Sequence, residues 1–82
     1  MFLAKVFIRL KPTVNDPQGL TIGSSLRQLG FDSVVNVRAG KFMEISLEEN
    51  DESRARSLLV DMCEKLLANP IIEEYSFEVM RQ

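Results

Sequence analysis

Asp16 and Pro17 stand between two incompatible periodicities. Before them, from Phe2 to Leu10, residues alternate between an apolar set (Ala4, Val6, Ile8, Leu10) and a more polar set (Lys5, Phe7, Arg9, Lys11). After them, Ile22, Leu26 and Leu29 recur at spacings of four and three. A strand repeats every two residues and a helix every 3.6, so the backbone must change state inside Lys11–Gly19, the stretch KPTVNDPQG. Pro12 has no amide proton and cannot continue a central ladder. Asp16 is placed to accept from the first free amides of a helix, and Pro17 fits the first helical position, where a missing N–H costs nothing. Gln18 and Gly19 complete the opening turn. A helix start presents backbone donors and partial positive charge, and Gly19 leaves no side chain in their way. Local chemistry therefore allows a docking surface, an anion seat or a plain strand-to-helix connection.

The first helix is expected from Pro17 to Leu29, ended by Gly30 with Phe31 folding back on its stripe. Gly23 inside it weakens an exposed helix and suggests either close backbone approach or a simply tolerated glycine. Two strands follow in expectation, Ser33–Arg38 and Lys41–Glu48, closed into a hairpin through Ala39 and Gly40. In the second, Met43, Ile45 and Leu47 share one face and Phe42, Glu44, Ser46 and Glu48 the other, so acids there fall opposite bases of the first strand if the two pair. Phe7 and Phe42 interrupt otherwise polar faces, which suggests contact with another subunit or ordinary surface scatter.

From Asp51 to Ala68 a longer helix is expected, with Ala55, Leu58, Leu59, Met62 and Leu66 inward and Cys63 buried as a small apolar residue. Acids crowd its start and Lys65 lies near its end, matching the helix dipole. Asn69-Pro70 stops it, and a last strand runs over about Ile72–Met80. The fold class is thus α+β, a single domain over 1–82. Its order is strand-helix-strand-strand-helix-strand, with an antiparallel sheet, two helices on one face and the other face open.

Size limits what such a chain does alone. At 82 residues a single core supplies only about 3–5 kcal/mol net, and completion by a second copy is expected. One cysteine and no histidine exclude a disulfide framework and an ordinary zinc site within the chain. A net charge of −2 gives no electrostatic reason for nucleic-acid binding. No apolar run approaches the roughly 20 residues of a membrane span, and no signal-peptide pattern follows Met1, so a cytoplasmic location is expected. There is no phosphate loop and no dinucleotide fingerprint. Lys5, Arg9 and Lys11 suit either a phosphate or a solvated sheet face, and Arg38 and Lys41 around Gly40 form a second basic cluster. Composition and spacing lead to an oligomeric α+β module suited to binding a partner rather than to catalysis.

Four motifs taken together carry a resemblance. KPTVNDPQG, LRQLGF, VRAGK and MCEKLLANPIIEEY, in that order and spanning nearly the whole chain, are similar to the PurS family, the small subunits of phosphoribosylformylglycinamidine synthase. Thr13, Ile71 and Glu74 depart from that pattern, where glycine, valine and aspartate are familiar. The resemblance implies a noncatalytic subunit of a glutamine-dependent carbon–nitrogen ligase in purine biosynthesis. It implies as partners a large synthetase subunit, PurL, a glutaminase subunit, PurQ, and a second copy, as homodimer or, when free, tetramer. It implies no cofactor in this chain, with ATP and magnesium belonging to PurL. The partner-binding residues it points to are Lys11, Pro12, Asp16, Gln18 and Gly19, with Arg38, Gly40 and Lys41. An ACT-like small-molecule-binding regulatory module has the same expected element order and stands as the alternative.

Overall fold

In the computed structural model, which describes residues 1–82, the alternating run forms strand β1, Phe2–Leu10. It is the middle strand of a three-stranded sheet, flanked by β2, Gly40–Leu47, and β3, Glu73–Arg81. Both pairings are antiparallel. Phe2, Ala4, Val6 and Ile8 all point to one face and are at most 2% exposed. The register sets Val6 between Met43 and Phe77, and Ala4 between Ile45 and Val79. On the opposite face Lys5 lies between Glu44 and Glu78, so the expected cross-strand complementarity of charge is present.

Helix α2, Glu52–Met62, is capped by Asp51, whose side chain accepts from the Ser53 amide. It lies over β1 and β3. Ala55, Leu59 and Cys63 are fully buried there, the last at the start of a wider π-helical turn over Cys63–Leu67. That turn closes with the Ala68 amide on the Cys63 carbonyl. It ends just before Asn69-Pro70, where the residue preceding proline leaves the helical region. The single continuous helix expected to Ala68 is thus an α-helix that widens in its last turn.

Helix α1, Pro17–Gln28, begins where Asp16 and Pro17 require it. Its end is a Schellman cap: Gly30 at φ 100° donates to the Arg27 carbonyl and Phe31 to the Leu26 carbonyl.

The α+β class and the antiparallel sheet stand, and two expectations are corrected within this chain. Ser33–Arg38 leaves a turn at Ser33 and joins no ladder, so the hairpin through Ala39 and Gly40 is not closed. The reason is local: the Ala39 amide is taken by Asp16 and the Arg38 guanidinium by two loop carbonyls, which hold the joint open. Nor do both helices cover one face, because α1 shares no substantial contact with any strand. Ile22 and Leu29 stay 39% and 74% exposed, and Phe31, expected to fold back, is 56% exposed. The molecule is long, 50 × 28 × 14 Å with a radius of gyration of 16.3 Å, against roughly 12 Å for a compact chain of this length. No helix is long and apolar enough to cross a membrane.

Candidate functional site

The two groups of residues singled out from sequence meet in space, and Asp16 joins them. Its side chain is 4% exposed. One carboxylate oxygen accepts from the Gly19 amide at 2.9 Å, inside the first turn of α1, and the other accepts from the Ala39 amide at 2.7 Å. The same carboxylate therefore caps a helix and ties it to a segment 23 residues away. Those two amide bonds, the Gly19 one foremost, and the nearby Arg38 charge hold its pKa below the ordinary carboxylate value against the opposing effect of burial. Arg38 completes the clasp, donating to the carbonyls of Lys11 at 3.0 Å and Val14 at 2.9 Å.

Gly19 has a different role from the one its position suggests. A Cβ there would run into the Val37 carbonyl oxygen, so the absent side chain is filled by backbone rather than left open to a ligand. With Asp16 occupying the Gly19 amide, the start of α1 is a closed joint and not an open anion seat. Gly40 is similarly constrained, since a Cβ would lie 2.6 Å from the Ile8 carbonyl oxygen. The close backbone approach considered at Gly23 is not found: a Cβ there would meet only the Arg27 and Val37 side chains, at an ordinary 3.5 Å.

Lys41 lies 3.7 Å from Glu73, and Arg9 pairs with Glu74 at 2.8 Å. Gln18, Gly40 and Lys41 line a small groove of about 160 Å³ with Asp16 at its base. A broader one of about 620 Å³ opens beside it, where Arg9, Arg38 and Lys41 rim the exposed rings of Phe7 and Phe42. Those rings are stacked in a tilted pair 5.2 Å apart. Lys11 contributes its carbonyl to the clasp, and Pro12 is exposed on the loop. Sequence reasoning missed Ala39, Val37, Glu73 and Glu74. The two acids were legible only as partners across a sheet whose strand order the sequence does not disclose.

No three His, Cys, Asp or Glu side chains converge as a metal site requires. Cys63 is buried, and burial, followed by the Glu64 charge, pushes its thiol up, away from the thiolate that a nucleophile needs. Burial likewise raises Tyr75, with Glu64 nearby. These features define an elongated α+β chain with basic side chains and exposed aromatic rings side by side at one end of an open sheet.

The PurS family model, described as phosphoribosylformylglycinamidine (FGAM) synthase, matches residues 3–81. The chain is 47% identical over 75 residues to the FGAM synthase subunit PurS of Synechocystis, covering 92% of this chain and 75% of that protein. The crystal structure of PurS from Methanocaldococcus jannaschii, a subunit of formylglycinamide ribonucleotide amidotransferase, superposes with a TM-score of 0.90 at 41% identity, covering 100% of this chain and 99% of that one. A chain of the PurLQS structure from Thermotoga maritima superposes with a TM-score of 0.86 at 28% identity, covering 98% and 99%. The chain belongs to the PurS family, the small subunits of FGAM synthase in purine biosynthesis. The ACT-like alternative is not favoured by any of these likenesses.

Proposed function

We propose that this chain is the noncatalytic bridge of FGAM synthase. It holds a PurL synthetase subunit and a PurQ glutaminase subunit in register while formylglycinamide ribonucleotide is converted to formylglycinamidine ribonucleotide. In this reading ATP and magnesium are bound by PurL, glutamine is hydrolysed by PurQ, and the chain acts as a homodimer in the cytoplasm. The observation that carries it is the near-complete superposition on a chain of the PurLQS structure, joined to a surface of paired cations and exposed aromatics and an interior without an activated nucleophile.

The physical role is positional. Ammonia released at one site must reach the other before it equilibrates with solvent, and a subunit that fixes two surfaces contributes to rate through proximity. The contact residues assigned are Lys11, Pro12, Asp16, Gln18 and Gly19 with Arg38, Gly40 and Lys41. Asp16 and Gly19, being buried, shape the surface, while Pro12, Gln18 and Lys41 present it. The test is reconstitution from purified large and glutaminase subunits, with glutamine-dependent product formation measured with and without this chain. A steep loss on its omission is expected. Undiminished glutamine-dependent turnover without it would overturn the proposal.

A further inference from the structure

Two basic groups that lie apart in the sequence, Arg9 on β1 and Arg38 with Lys41 around Gly40, meet in the groove of about 620 Å³ on the open face of the sheet, beside Phe7 and Phe42. The register explains the hollow. Arg9 lies between Gly40 and Glu74, and in the next row of the same face Phe7 lies between Phe42 and Ser76. Gly40 has no side chain and Ser76 a short one, so two opposite corners of this patch are left low while Arg9 and the rings stand up beside them. The volume falls inside the range of about 300–1,000 Å³ typical of small-molecule sites.

The cations keep donors in hand. Arg9 spends its Nε on Glu74, Arg38 spends its Nη2 on the Lys11 and Val14 carbonyls, and the Lys41 ammonium, 3.7 Å from Glu73, lies beyond hydrogen-bond distance. Both terminal nitrogens of Arg9, the Nε and Nη1 of Arg38 and the Lys41 protons are thus without an acceptor in the chain. Glu73 gives an oxygen to the Asn69 amide instead, which leaves Glu74 as the one acid in the groove wall against three cations. Phe7 and Phe42 supply the other half of the site, a tilted pair with both rings exposed. A plain anion would leave those rings wet, and an apolar ligand would leave the cations unpaired. A planar base joined to a phosphate satisfies both, because every base has a face to stack and phosphate accepts from guanidinium and ammonium groups. The row beyond the rings carries Glu44 and Glu78 on either side of Lys5. Two acids there repel a polyanion continuing across the sheet, so the face suits one nucleotide and not a strand of nucleic acid.

We propose that this groove binds a nucleoside 5′-monophosphate, its base stacked on the Phe7 and Phe42 rings and its phosphate held by Arg9, Arg38 and Lys41. The site goes beyond the bridging role and does not depend on it.

The test titrates the full-length chain, in the oligomer it forms, with adenosine, guanosine and uridine 5′-monophosphates, followed by calorimetry and amide chemical shifts. Ribose 5-phosphate, adenosine and a short single-stranded oligonucleotide are the comparison ligands. Saturable binding of at least one monophosphate is expected, about tenfold or more tighter than of its phosphate-free or base-free fragment, with shifts centred on Phe7, Arg9 and Lys41. Phe42→Leu, which keeps an apolar side chain but removes the ring face, and Arg9→Gln should each weaken binding about tenfold. Phe42→Tyr should retain it, and circular dichroism and sedimentation should show all three variants folded and assembled as the parent is. Silence of all three monophosphates overturns the site. So does ribose 5-phosphate binding as tightly as the nucleotide, undiminished binding by folded Phe42→Leu, shifts confined to another part of the chain, or binding of the oligonucleotide alone.

Discussion

Asp16 carries more of this structure than any other polar residue, because one carboxylate serves two segments at once. Replacing it with alanine removes the cap of α1 and the tether to Ala39, and is expected to lower the melting temperature by about 4–8 °C in a thermal scan. Its pH dependence has a definite sign. A carboxylate whose folded pKa is depressed contributes stability that is present above its ordinary value of 3.8 and lost as pH falls through the lower folded value. Acid titration followed by circular dichroism should therefore show stability falling below about pH 4, and Asp16→Asn should flatten that part of the curve. Two glycines of α1 make a paired prediction by urea unfolding. Gly19→Ala drives a methyl into the Val37 carbonyl and should cost about 1–3 kcal/mol. Gly23→Ala meets Val37 and Arg27 only at 3.5 Å and should be neutral or stabilising by up to about 1 kcal/mol, the helix-propensity gain.

Among the elements, α2 and the middle strand hold the core. Leu59 is fully buried against them, and Leu59→Ala is expected to cost about 2–5 kcal/mol. That is comparable to the whole net stability of a core this small, so the isolated variant should be largely unfolded by circular dichroism. Cys63 beside it reports on the same packing. With burial raising its pKa, a thiol reagent at neutral pH should label native protein far more slowly than protein in urea. Fast native labelling would show that the π-helical turn opens independently. Strand β1, α1 with its cap, the face of β2 and the stop at Asn69-Pro70 were all legible, because periodicity, caps and breakers act over a few residues. The π widening was not, since Cys63–Leu67 has ordinary helical composition. Ser33–Arg38 reads as a strand with good reason, but a strand also needs a neighbour, and whether one is present is not a local property.

At the scale of the whole molecule, the 50 Å length and the stand-off of α1 make the isolated chain an incomplete unit. Hydrogen exchange should find the amides of Val35–Arg38 unprotected in dissociated chain at high dilution and protected after assembly. Protection that does not change on assembly would count against any role for this segment in contact. The Lys41–Glu73 pair has a side chain 65% exposed on the lysine, so Lys41→Glu should leave the melting temperature nearly unchanged. The same variant should weaken reconstitution with the partner subunits, measured as a rise in the concentration of this chain needed for half-maximal activity.

From the order of residues alone came the class of fold, the positions of the helix starts and stops, the inward faces of β1 and β2 and the poverty of reactive groups. Each is decided by backbone sterics, periodicity or side-chain chemistry within a short window. Tertiary structure alone decided that β1 lies between β2 and β3, that Asp16 reaches Ala39 and that Gly19 makes room for a carbonyl. It also decided that the first helix swings clear of its own sheet. These depend on which distant segments compete for the same hydrogen-bonding groups, and that competition is settled only when the chain is closed in three dimensions.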